Sequence, residues 1–399
     1  MKSFLSLKMM KKYSALLFFS ASLLLTGCWD RQEVNDTALV LATAIDKDKN
    51  EEIKLTVQVL NPKKVSGGQQ GSGAGGTSNV LMRSATGKNM ADAMANLQAK
   101  FTRVLFLGHC KAYIFGEAFA KDGINQQIDF LLRQSQPRER ANLFVSDGLA
   151  ADILKSKTTL ELFEGERLRK LSALHTGADI TVKDFQQMII GDSEAAILPI
   201  IQTVTSKNGK MRETVDYITG TAIFKKGKMV GRIDDKVTRG LLWLRNETEV
   251  SAISVAIKEG EIMSIDPIRV TTKILPTIKN GKWKILVKII SEASVVQNGT
   301  HLDIMSADIT KRIEKELEQV IKQRIVQTLS QVKTEMHIDA FGFADAFHRK
   351  YPKEWEKVKD HWDEILPRVD VKMDIRTYVR RPGMSTIPAG LKENEVKTE

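Results

Sequence analysis

Two cysteines in 399 residues are too few for a disulfide framework, so buried apolar cores must hold this fold together. Aromatic residues make up only 6% of the chain, and its lysines and arginines are interspersed with acidic residues rather than grouped. A nucleic-acid surface needs clustered cations with aromatic side chains between them, so nucleic acid is excluded as a partner. Nine prolines and 26 glycines are modest numbers, and a composition 42% apolar and 27% charged excludes chain-wide disorder. Beyond the N-terminus no second long uncharged apolar run occurs, which excludes a bundle of membrane-spanning helices.

What is present begins at the N-terminus. Lys2, Lys8, Lys11 and Lys12 form a basic head, residues 14–25 are apolar, and Leu25-Thr26-Gly27-Cys28 closes the segment. A basic head, a short apolar stretch and small residues before a cut are the signature of an exported chain. Residues 1–27 are therefore expected to be a removable leader, leaving 372 residues and lowering the formal charge from +11 to about +7. The uncharged window at 13–29 sits at the lower limit for a spanning helix, so a one-span anchor is the alternative. Leu-Thr-Gly-Cys resembles the lipobox of bacterial lipoproteins. That resemblance implies that the Cys28 thiol receives diacylglycerol, with acyl chains such as palmitate, and that its freed amine is open to N-acylation. Two acyl chains at roughly 0.8 kcal/mol per buried methylene give stable anchoring where one would be marginal. The other cysteine, Cys110, lies in an apolar run at 104–115 and reads as a small core residue on a strand.

Hydrophobic periodicity divides the rest. Residues 37–45 are almost continuously apolar, as in a buried strand, and 53–60 alternate as in a half-buried one. A Gly/Ser/Gln segment at 66–78 leads to a return strand at 80–86. Helices are expected at 89–101, 124–133, 148–155, 159–174 and 182–190, with strands at 104–115 and 141–145. Beyond a turn at 206–210 come a hairpin at 216–233, a helix at 234–245 and strands at 249–257, 261–275 and 282–296. A long amphipathic helix runs from Ile309 to Leu329, and a last strand alternates through Val369, Val371, Met373 and Ile375. The expectation is an α+β protein of three mixed α/β domains. An N-terminal mixed domain spans 28–205, a β-rich middle domain 206–275, and a C-terminal domain 276–385 packs an antiparallel sheet with the long helix. A polar tail follows at 386–399.

Candidate chemistry is thin. Gly71-Ser72-Gly73-Ala74-Gly75-Gly76 has dinucleotide-motif spelling but joins two strands, whereas a pyrophosphate site needs a strand-to-helix turn. Gly191-Asp192-Ser193 is followed by Glu194-Ala195-Ala196, so Ser193 lacks a nucleophile elbow and reads as a helix-ending turn. His109, His175, His301, His337, His348 and His361 include no i, i+4 pair suited to a metal. The sequence therefore assigns no catalytic, metal or cofactor residue, and Cys28 is its one site residue.

Several segments together resemble one family. Gly27-Cys28-Trp29-Asp30-Arg31, Leu107-Gly108-His109, Asp129-Phe130-Leu131-Leu132-Arg133 and Gly220-Thr221-Ala222-Ile223-Phe224 are similar, in collinear order, to the Ger(x)C spore germination lipoproteins. So is Phe341-Gly342-Phe343 through His348-Arg349, Pro352-Lys353, Trp355 and Trp362. The resemblance implies a non-enzymatic C subunit of a nutrient germinant receptor. It would be lipid-anchored on the outer face of the spore inner membrane beside integral-membrane A and B subunits. An extracytoplasmic ligand-binding lipoprotein of a transporter is the alternative, and an exported hydrolase a weaker third.

Overall fold

The computed structural model describes residues 12–14, 33–61, 80–156, 161–206, 213–247, 252–258, 260–383 and a few positions of the tail. Cys28, the rest of the leader, the glycine-rich segment and the turn at 207–210 lie outside the described residues.

A nine-stranded mixed sheet forms the first layer. Its strands are β1 (Thr37–Lys47), β2 (Ile53–Leu60), β3 (Val80–Gly87), β4 (Val104–Phe106), β5 (Ala112–Gly116), β6 (Asn142–Ser146), β7 (Ala195–Ser206), β8 (Glu213–Lys225) and β9 (Lys228–Asp234). The order is β3-β2-β1-β5-β6-β7-β8-β9, with β4 also pairing β1. β1, β5, β6 and β7 run parallel, flanked by antiparallel hairpins on both sides. The single strand expected at 104–115 is broken. Leu107–His109 form a 3-10 turn between β4 and β5, both parallel to β1 on either side of its Val40/Ala42 bulge, and the Lys111 amide returns to the Leu41 carbonyl (2.9 Å).

Parallel strands require crossovers, and the helices that supply them cover both faces of this sheet. On one face lie α1 (Met90–Gln98), α2 (Glu117–Asp122), α3 (Asn125–Arg133) and α6 (Val182–Ile190). On the other lie α4 (Ala150–Leu154) and α5 (Glu164–Ala173), which bury Ala42, Ala44, Ile114 and Phe144. α4 is anchored by buried Asp46, whose carboxylate accepts the amides of Ala150 (2.7 Å) and Ala151 (2.9 Å). Helix α5 approaches β1 so closely that a Cβ at Gly165 would stand 2.1 Å from the Leu41 carbonyl oxygen, which explains glycine there.

The second sheet has four strands, β10 (Ile253–Lys258), β11 (Glu261–Lys279), β12 (Lys282–Asn298) and β13 (Asp370–Arg381), in that order. It is antiparallel from β10 to β12, and β13 adds in parallel. The chain reaches β13 through α8 (Ala307–Thr328), which lays Ile309, Ile313, Leu317, Ile321 and Ile325 on the sheet. Glu314 and Glu318 of α8 also accept the outer-edge amides of Val379 (2.9 Å) and Thr377 (3.1 Å), closing part of an edge open to unwanted strand pairing. α7 (Asp235–Arg245) joins the layers. Thr238 Oγ1 meets Thr221 Oγ1 on β8 at 3.0 Å, while Thr328 Oγ1 on α8 donates to the Val237 carbonyl (2.7 Å). The segment 206–275 thus supplies β8 and β9 to one sheet and β10 and most of β11, which runs on to Lys279, to the other, and one continuous core spans both.

Candidate functional site

The C-terminal signature builds a compact polar and aromatic unit. Asp339 is fully buried, and burial raises its carboxyl above the usual range although four donors work in the opposite sense. Its oxygens accept the amides of Phe341 (3.2 Å), Phe343 (3.1 Å) and Ala344 (2.6 Å) and Nε1–H of Trp362 (3.0 Å). These amides lead into α9 (Phe343–Lys350), and Gly342 before it has φ +80, a left-handed turn that suits glycine. α10 (Pro352–Trp355) and α11 (Trp362–Ile365) follow. Trp283 from β12, Phe347, Trp355 and Trp362 pack with ring centroids 4.6–5.8 Å apart. The tryptophans and glycine of the signature therefore encode a cap on the second sheet.

That cap meets the first sheet at the turn between α6 and β7. His348 Nδ1 lies 2.8–2.9 Å from the Asp192 carboxylate, and Asp345 accepts the Asp192 amide (3.3 Å). Lys225 Nζ bridges the Ser193 carbonyl (3.0 Å) and Asp363 (2.7 Å). Arg245 donates to the Ala340 carbonyl (2.9 Å). Between these contacts lies a cavity of about 480 Å³, bordered by Asp179, Asp184, Glu247, Asp345 and Arg245.

Asp192, Ser193 and His348 are thus neighbours, but they do not form a relay. Ser193 is buried and its Oγ accepts the Ala195 amide (3.4 Å), while among the described residues no hydrogen bond joins it to a histidine. A nucleophile needs its base within hydrogen-bond reach, so the reading of a helix-ending turn stands. Among the described residues no group of three His, Cys, Asp or Glu is placed to hold a metal. Cys110 is buried immediately before β5, its Sγ 3.4 Å from Thr43 Oγ1 and from the Ala112 carbonyl. Burial pushes its thiol up to about 11, away from thiolate chemistry.

Sequence reading missed Asp339, Lys225 and Asp363, and took Asp192 only as part of a helix-ending turn. Asp339 had a usable signal, an acidic residue just ahead of a Gly-turned helix start. The others act across large sequence separations, 156 residues for Asp192 with His348, and carry no local pattern.

Comparison with known proteins agrees with this architecture. Residues 30–203 match the family described as "Spore germination protein N-terminal domain", and residues 219–383 match "Spore germination B3/ GerAC like, C-terminal". The chain is 28% identical over 393 residues to spore germination protein KC of Bacillus subtilis (strain 168), covering 94% of this chain and 96% of that protein. It is 27% identical over 378 residues to spore germination protein B3 of the same organism, covering 92% and 97%. The solved structure titled "Crystal Structure of the GerBC protein" aligns with a TM-score of 0.54 at 21% identity, covering 85% of this chain and 97% of that one, which shows a shared fold. With both halves matched in collinear order, the chain belongs to the Ger(x)C family of spore germination proteins, the germinant-receptor C subunits.

Proposed function

We propose that this protein is a non-enzymatic, lipid-anchored subunit that assembles with integral-membrane A and B subunits on the extracytoplasmic side of the spore inner membrane. The carrying observation is the reach of the family match. It starts at residue 30, two residues past Cys28, and with a break at 204–218 reaches residue 383, so family-type sequence begins directly behind the lipobox-like segment. No helix among the described residues is long and apolar enough to cross a membrane, and a lipid at Cys28 would supply the attachment. Tethering raises the effective concentration of the body near its membrane partners, and the interlocked sheets present them with one rigid surface. In this reading the units 28–205, 206–275 and 276–385 act together, the middle one bridging the two sheets.

Replacing Cys28 with Ala in the spore-forming source tests the proposal. Nutrient-triggered release of dipicolinic acid should fail in spores that still answer a receptor-independent trigger, with the protein lost from the membrane fraction. Normal release from spores whose membranes lack the protein, in a background without other receptors of the family, would sink it.

A further inference from the structure

Two cavities among the described residues have opposite character. At the junction of the sheets the charged side chains of the lining are carboxylates, Asp179, Asp184, Glu247, Asp339 and Asp345, against the single cation Arg245. The second, of about 460 Å³, opens at the N-terminal ends of β5 and β6 and is bordered by Lys111, Arg138, Arg140 and Arg169. An adjoining hollow shares Arg138, Arg140 and Thr181 with it and adds Lys183. Against these five cations the two linings include only Asp179 and Glu139 as carboxylates. Asp179 is already engaged by Asn142 Nδ2 at 2.7 Å. Arg169 has a partner in Glu166 (2.6 and 3.1 Å), whereas Lys111, Arg138, Arg140 and Lys183 form no ion pair among the described residues.

Fold rather than chance gathers these side chains. Arg138 and Arg140 sit on the loop between α3 and β6, and four backbone hydrogen bonds pin that loop. The Ala141 amide donates to the Arg138 carbonyl (3.0 Å), Lys183 to Glu139 (3.0 Å), Val182 to Ala141 (3.0 Å) and Asn142 to Lys111 (2.9 Å). Three elements are thereby held around one opening, and the capping box of Thr181 and Asp184 fixes the start of α6 beside it. The field is felt locally: Arg169, with Lys111 and Lys170 adding to it, holds the Glu166 carboxyl below its usual range. Like charges held together repel, and an oxyanion between them removes that cost. Guanidinium forks match phosphate oxygens in bidentate geometry, and the volume lies within the range of small-ligand sites.

We propose that the cavity bordered by Lys111, Arg138, Arg140 and Arg169 binds a phosphate-bearing anion, either a free phosphate ester or the phosphate of a lipid headgroup. This site is independent of the receptor reading, since it rests only on the side chains of the first sheet and its helices.

The test titrates the full-length chain in neutral detergent micelles. The probes are inorganic phosphate, glycerol 3-phosphate, glycerol as an uncharged control, and micelles doped with phosphatidylglycerol or phosphatidylcholine. Saturable binding of a phosphate probe is expected, weakening with added salt and falling at least about tenfold in the Arg138→Gln/Arg140→Gln double variant. Both arginines are exposed, so the variant should keep the wild-type unfolding midpoint, and Arg138→Lys/Arg140→Lys should restore part of the binding. Binding of glycerol 3-phosphate identifies a free ester as the source. Preference for phosphatidylglycerol micelles without it identifies the headgroup. Absence of binding to every phosphate probe, or unchanged binding in the glutamine variant, overturns the proposal.

Discussion

The two sheets solve the same burial problem differently. Helices cover the first on both faces, so the middle of β1 and all of β5 read as unbroken apolar runs. α8 and the aromatic cap cover one face of the second, and among the described residues its other face is bare. Ile253, Val255 and Ile257 point inward while Ser254, Ala256 and Lys258 point out, and β12 alternates in the same way. A doubly covered sheet tolerates little change anywhere along its strands. A singly covered one is exacting at every second residue only.

The sharpest break in this comparison is expected at a polar group. The first sheet's α4 leans on Asp46, with two amides, and the second sheet's cap leans on Asp339, with four donors. Asp339→Ala strands those donors in a dry interior, where each costs roughly 1–3 kcal/mol. Its loss should exceed about 4 kcal/mol in urea unfolding, with quenched or shifted Trp355 and Trp362 fluorescence. A loss below about 1 kcal/mol would mean that the cap does not depend on this carboxylate. Next in size is Phe144→Ala, in the layer between the first sheet and α4–α5. Its side chain has no exposed surface, and the cavity should cost about 3–5 kcal/mol.

Legibility in the sequence follows the same division. Period-2 alternation made β12 and β13 plain, and strong helical periodicity placed α6 at its observed ends and α8 nearly so. β7 was missed. Its run Ala-Ala-Ile-Leu-Pro-Ile-Ile has no alternation because both of its faces are buried, and Pro199 argues locally against a central strand. The parallel direction of β13 is absent from any local pattern, because it depends on the crossover through α8. The tryptophans of the cap stood out in the sequence, yet the carboxylate that organises them did not, since burial of one aspartate is a property of the assembled fold.

A third, smaller effect concerns acid–base behaviour in the doubly covered layer. Glu164 is buried at the start of α5. Arg167 pairs with it (2.6 Å) but also with Asp216, which in turn accepts Thr203 Oγ1–H. One guanidinium shared by two carboxylates does not offset burial, and the Glu164 carboxyl is pushed up to about 7 from an ordinary 4.5. A carboxyl that holds its proton more tightly when folded stabilises the fold fully below pH 4.5, and that contribution is lost as pH rises through 7. Unfolding free energies measured between pH 4.5 and 8 should therefore fall with pH by on the order of 2 kcal/mol from this group. Glu164→Gln should flatten that slope. An identical slope in the variant would show that Glu164 ionises normally in the folded protein.

The smallest effect belongs to the bare face, and it completes the comparison. Ile290 on β12 points away from α8 and is 51% exposed, while its neighbour Ile289 is fully buried. Ile290→Thr keeps β-branching and removes only apolar surface that already meets water, so it should change stability by no more than about 0.5 kcal/mol. Ile289→Thr buries a hydroxyl in an apolar core and leaves a methyl-sized gap, so it should cost about 2 kcal/mol or more. The two substitutions are chemically identical and adjacent in sequence, so urea midpoints for the pair isolate the face. If Ile290→Thr were as costly as Ile289→Thr, the outer face of the second sheet would have to be covered in solution, and the two sheets would no longer differ in kind.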